Sequence, residues 1–90
     1  MIKDPILLVE SENEASQLGW TRLGPIQCEE CMYGIAWLWC KEDKFVLLED
    51  IGNGQCDFIG FIPREEGLIQ LYEYQESPGK NKRKRLILLK

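Results

Sequence analysis

The chain contains no histidine, which removes together the commonest general acid/base and the commonest metal ligand in proteins. Serine–histidine and cysteine–histidine catalysis are thereby excluded within this chain. Hydroxyl nucleophiles are scarce as well. Ser11, Ser16, Ser77 and Thr21 are the full set; Ser11 reads as a helix cap, Ser77 as a turn residue, and none stands in a nucleophile motif. Gly52-Asn53-Gly54 lacks the lysine and the strand-to-helix setting of a phosphate cradle and reads as a turn. Long apolar runs are missing too. Stretches such as Ile35 to Cys40 and Phe45 to Leu48 fall far short of the ~20 residues of a membrane-spanning helix, so no membrane association is expected. The N-terminal residues carry no apolar stretch or small-residue cleavage site, and Glu10, Glu12 and Glu14 follow at once. A cytoplasmic, reducing location is expected. No cofactor is expected, and the chain reads as a non-enzymatic protein.

What is present suits one folded domain over residues 1–90. Apolar residues make up 44% of the 90 and charged ones 29%, far from the charge-rich, apolar-poor composition of disorder. The charge is unevenly placed. Residues 1–79 hold all 15 acidic groups and five basic ones, near −10, whereas residues 80–90 hold six basic groups and no acidic one. Such asymmetry suits a basic arm seeking an anionic partner, an acidic body seeking a cationic one, or mutual neutralisation.

Local patterns predict a mostly β fold, with α+β as the neighbouring class. Ile6 to Val9 reads as a short buried strand after Pro5. Ser11 with Glu14 three residues on is a capping-box pattern, and Ala15 and Leu18 give a short apolar stripe, so one short helix is predicted near residues 12–18. Trp20 to Leu23 is strand-like, and Gly24-Pro25 reads as a break. The clearest element is a hairpin, Tyr33 to Cys40 with Lys44 to Ile51, joined by Lys41-Glu42-Asp43. With Glu42 and Asp43 at the turn, Trp39 lies opposite Val46 and Trp37 opposite Leu48. Both faces of that hairpin are apolar near the turn, as in strands central to a sheet. Cys56 to Ile62 reads as a further strand ended by Pro63. Leu68 to Gln75 and Leu86 to Leu89 read as a last hairpin. The expected architecture is a five- to six-stranded antiparallel meander, curled into a small half-open barrel or a twisted sheet with the helix on one side.

Three constellations could carry function. Cys28 and Cys31 are spaced as C-x2-C with Gly34 following, and with Cys40 and Cys56 they would complete four zinc ligands. Against zinc, the second pair is widely spaced and Glu29-Glu30 separates the first pair; the four cysteines read as buried or partly buried free thiols acting as small hydrophobes. Paired carboxylates such as Glu49-Asp50 and Glu65-Glu66 read as solvated turn or edge charges, because neighbours on a strand point to opposite faces. Tyr33, Trp37 and Trp39 alternate onto one strand face; in so small a domain Trp37 and Trp39 read first as core packing, and the other reading is an exposed row of rings that would stack on bases. Lys80, Lys82, Arg83, Lys84 and Arg85 place five cations within six residues; the run reads first as a solvated loop partly paired with Glu73 and Glu76, and otherwise as a group able to neutralise several phosphates at once. Two partner classes follow. The favoured reading is a protein-binding module, of inhibitor or immunity type, whose acidic body docks a cationic protein. The alternative is a small β-barrel that binds nucleic acid through residues 80–85 and the aromatic face. A homodimer through a sheet edge is a further expectation.

Overall fold

In the computed structural model of the chain, the described residues are 4–28, 31, 32 and 34–76. Four strands, β1 (Thr21–Gln27), β2 (Ile35–Lys41), β3 (Lys44–Gly52) and β4 (Gln55–Ile62), form one antiparallel sheet in the order β1-β2-β3-β4. The β2–β3 hairpin has the expected register, with Trp37 opposite Leu48 and Trp39 opposite Val46. Its two strands occupy the middle of the sheet, which is why their side chains are apolar in both directions. Ala36, Leu38, Phe45 and Leu47 enter a core on one face, and Trp39, Val46 and Leu48 enter a second core on the other.

Each core has its own cover. A 3-10 helix, Pro5–Leu8, and α1 (Glu12–Gln17) close the face that holds Trp39, contributing Ile6 and Ala15, both fully buried. α1 starts where the capping pattern places it: the Ser11 hydroxyl accepts the Glu14 N–H at 3.1 Å. The return half of the box differs, because the Glu14 carboxylate accepts the Ser11 hydroxyl and not its backbone N–H. The opposite face is covered by α2 (Arg64–Glu76).

α2 corrects the expectation of a strand at Leu68 to Gln75 and of a single helix in the chain. Glu65 and Glu66 fall in its first turn, where carboxylates suit the positive end of the helix dipole. Gly67, Gln70, Leu71 and Tyr74 then recur at helical spacing and face the sheet. Two glycines let the helix lie close. A Cβ on Gly67 would overlap the ring of Phe45, and one on Gly24 would come within 2.5 Å of the Tyr74 ring. The Tyr74 hydroxyl donates to the Pro25 carbonyl oxygen at 2.7 Å.

Three further expectations are corrected. Gly24-Pro25 does not break β1, which runs through both residues with a register shift between Arg22 and Gly24; an edge strand tolerates the missing proline N–H. Ile6 to Val9 is not a strand. Asp4 caps the Ile6 N–H at 3.2 Å and Pro5 presets its own φ, so the chain turns through a 3-10 helix that buries Ile6 and Val9 at its three-residue period. The described strands therefore number four, not five or six, and the sheet stays open between β1 and β4 without barrel closure. The other arm of the expected last hairpin, Leu86 to Leu89, lies outside the described residues. No helix among the described residues is long and apolar enough to cross a membrane.

Candidate functional site

The 3-10 period that buries Ile6 and Val9 turns the two residues between them outward. Leu7 is 37% exposed and Leu8 74%. Leu8 stands as a ridge between two hollows. One, of about 490 Å³, runs from Leu7 and Leu8 across to Asp57, Phe58 and Ile59, with exposed Glu10 and the buried Glu49 also in its lining. The other, of about 300 Å³, lies between Pro5, Leu8 and Leu18 and carries Glu14 and Gln17. Every charged residue lining either hollow is acidic. Glu49 and Asp57 face each other across the β3–β4 ladder, an arrangement of like charges that sheets ordinarily avoid.

The backbone beside this surface is fixed by a short extension of the sheet. Ser11 bridges Gln55, the Cys56 N–H donates to the Glu10 carbonyl at 2.9 Å, and the Glu12 N–H donates to the Gly54 carbonyl at 3.0 Å. These bonds lay the 3-10 helix alongside β4 and hold Leu7 and Leu8 in place.

A third hollow, of about 640 Å³, lies between α1 and β1 and is lined by Glu12, Asn13, Ser16, Thr21 and Arg22 over Trp20 and Trp39. Its one cation is already engaged. Arg22 pairs with Glu12 at 2.8 Å and lies 4.5 Å from the Trp37 ring centroid. Both partners are partly exposed, so the ion pair contributes at most about 1 kcal/mol. Its role is to tie α1 to the sheet.

The aromatic row is divided. Trp39 is 3% exposed and belongs to the core, and Trp37 is half-buried beneath the Arg22 guanidinium. Tyr33 and the basic residues Lys80, Lys82, Arg83, Lys84 and Arg85 lie outside the described residues. The cysteines are divided as well. Cys28 and Cys31 form a disulfide with a Cα separation of 5.5 Å. The turn that brings them together is closed by Cys28 N–H to the Gly34 carbonyl and Gly34 N–H to the Cys31 carbonyl. These two are thus buried but not free thiols, a correction to the reading from spacing alone. Cys40 packs on the same face, while Cys56 lies in the core on the other side of the sheet. The sheet itself separates Cys56 from the remaining three. Among the described residues no group of three or more potential ligands is placed to hold a metal ion.

The two free thiols are chemically quiet. Burial, followed by the charges of Glu12, Asp57, Glu14 and Asp50, pushes Cys56 up to about 11. Burial also raises Cys40. Both are protonated near neutrality and are poor nucleophiles.

The Leu7–Leu8 surface was hidden in the sequence because a four-residue apolar run fits a strand and a 3-10 turn equally. The available signal was Asp4-Pro5 ahead of Ile6 and Val9 at a spacing of three. Comparison of this chain with protein-family models, with curated proteins and with solved structures yields no match.

Proposed function

We propose that this chain is a non-enzymatic binding module that docks a cationic protein partner on its acidic body. The observation that carries the reading is Leu8, 74% exposed between two hollows whose charged lining is entirely acidic. Large aliphatic side chains gathered at a surface hollow are characteristic of interaction sites. Acidic groups around them select for positive charge and speed the encounter. A domain of this size can present the roughly 800 Å² per partner of a standard interface, whereas a deep substrate cleft is harder to build.

The test is affinity capture with the intact chain as bait, alongside a bait carrying Leu8→Ser, Glu10→Lys and Asp57→Lys. The expected result is a basic protein retained by the first bait, released by moderate salt and lost on the second. Recovery of nucleic acid in its place, or equal retention on both baits, overturns the proposal.

A further inference from the structure

We infer that the outer edge of β4, which adjoins no further strand among the described residues, is a strand-addition site for an extended partner segment that alternates basic and aliphatic residues. The inference rests on the preceding reading and names the chemistry of the partner.

The two edges of the sheet are unequally protected. β1 carries Arg22, a register shift beside it and Pro25, which offers no N–H, all devices that discourage a further strand. β4, with the sequence QCDFIGFI, has no proline and no cation. The chain itself extends the ladder there only briefly. Glu10 and Ser11 pair with Cys56 and Gln55, whereas the residues just before them, Pro5–Leu8, are wound into the 3-10 helix and the residues just after enter α1.

Ladder parity shows which backbone groups this leaves open. A two-residue turn makes Lys41 and Lys44 a hydrogen-bonded pair, so along β3 the residues Val46 and Leu48 bond to β2. The alternate residues Phe45, Leu47 and Glu49 bond to β4, through Ile62, Gly60 and Asp57. The backbone of Phe58 and Phe61 therefore points away from the sheet, with Ile59 as the extra residue of a bulge between them. Cys56 belongs to the same outward set, which its bond to Glu10 bears out.

The larger of the two hollows beside Leu8 lies over this edge. Asp57, Phe58 and Ile59 all line it, and consecutive strand residues point to opposite faces, so a hollow lined by all three opens across the strand's rim. Exposed Asp57 marks one side of the rim, while Glu49 opposite it is buried; Phe58, with Leu7 and Leu8, marks the other. An incoming strand meets the Asp57 carboxylate with one set of its side chains and apolar groups with the other. A second copy of this chain fits poorly, because residues 1–79 carry 15 acidic groups against five basic and two such bodies repel.

The probe is a short blocked peptide of alternating valine and lysine, compared with a valine–glutamate peptide and with a valine–lysine peptide N-methylated at alternate residues. With the intact protein at low salt, the lysine peptide should bind and the glutamate peptide should not. Amide exchange at Phe58 and Phe61 should slow by about tenfold or more on binding, while Gly60 and Ile62, already bonded to β3, change little. N-methylation should weaken binding by about tenfold or more, since strand addition depends on main-chain bonds. Glu10→Lys with Asp57→Lys should transfer preference to the glutamate peptide. Binding without protection at Phe58 and Phe61 would overturn strand addition and leave the cationic-partner reading standing. Absence of binding by the lysine peptide would overturn it too, with the capture experiment deciding the broader reading separately. Protection at those amides that grows with protein concentration, without peptide, would give the edge to a second copy and sink the proposal.

Discussion

A glycine inside a helix ordinarily costs about 1 kcal/mol relative to alanine, yet Gly67 sits in the fourth position of α2, and there the ordinary gain from alanine is outweighed. The Cβ would overlap the ring of Phe45, which is 1% exposed and has nowhere to go. Overpacking of this kind costs about 1–3 kcal/mol. Gly67→Ala is therefore expected to lower the melting temperature measured by circular dichroism; an increase would show that α2 does not lie on Phe45. Tyr74 lends itself to a pH measurement. Burial, and then the charge of Glu73, pushes its hydroxyl up to about 12 from an ordinary 10. The folded state thus holds the neutral phenol, so its contribution is complete below pH 10 and is lost as pH rises towards 12. Cys56, raised from 9 to about 11, loses its contribution over the window from 9 to 11. Denaturant midpoints should fall with pH above 9, and Tyr74→Phe should reduce the fall between 10 and 12 while leaving the part between 9 and 10 in place. An unchanged profile in that variant would place the alkaline transition elsewhere.

Among the elements, α2 carries an internal conflict. Gln70 is fully buried, and neither its amide nitrogen nor its amide oxygen has a partner among the described residues. An unpaired amide in such a place costs roughly 1–3 kcal/mol. Gln70→Leu is accordingly expected to raise stability by about 1 kcal/mol, read from urea unfolding, and a loss of stability would mean that the amide is satisfied in solution. The same conflict explains why the helix was hard to read. Ile69, Tyr72 and Tyr74 favour strands, and Gln70 interrupts the apolar stripe that would have marked a helix. The signals that did favour helix, Glu65-Glu66 after Pro63 and the spacing of Gly67, Leu71 and Tyr74, acquire meaning only once Phe45 and Gly24 are known to lie beneath. The β2–β3 hairpin was readable for the opposite reason. Its register follows from a two-residue turn, and the apolar pattern on both faces of Ala36 to Leu48 admits one placement, the middle of a sheet. The candidate surface was readable only in its charge. Which of the many carboxylates stand beside exposed leucines depends on a 3-10 turn whose period shows over just four residues.

For the whole molecule the deciding quantity is the balance between repulsion among carboxylates and attraction within ion pairs. The described residues carry thirteen acidic groups and four basic ones. Among the described residues, ion pairs join Arg22 with Glu12, Lys44 with Asp4 at 3.9 Å and Arg64 with Asp43 at 3.4 Å, each between partly or well exposed groups. Each contributes at most about 1 kcal/mol, and salt screens it. The surplus of carboxylates acts in the other direction, since self-repulsion of like charges disfavours the compact state and weakens as salt is added. Repulsion should dominate here, so the melting temperature is expected to rise between roughly 10 mM and 150 mM sodium chloride, as the Debye length falls from about 30 Å to about 8 Å. A falling melting temperature would mean that the six basic groups of residues 80–90 already neutralise the body. Comparison with a chain ending at residue 79 separates the two cases. If the carboxylates around Leu8 are open to a cationic partner, the shortened chain should show nearly the same salt slope as the full one. If the basic residues occupy them, the slopes should differ in sign, and the acidic surface would serve the chain's own end in place of a partner.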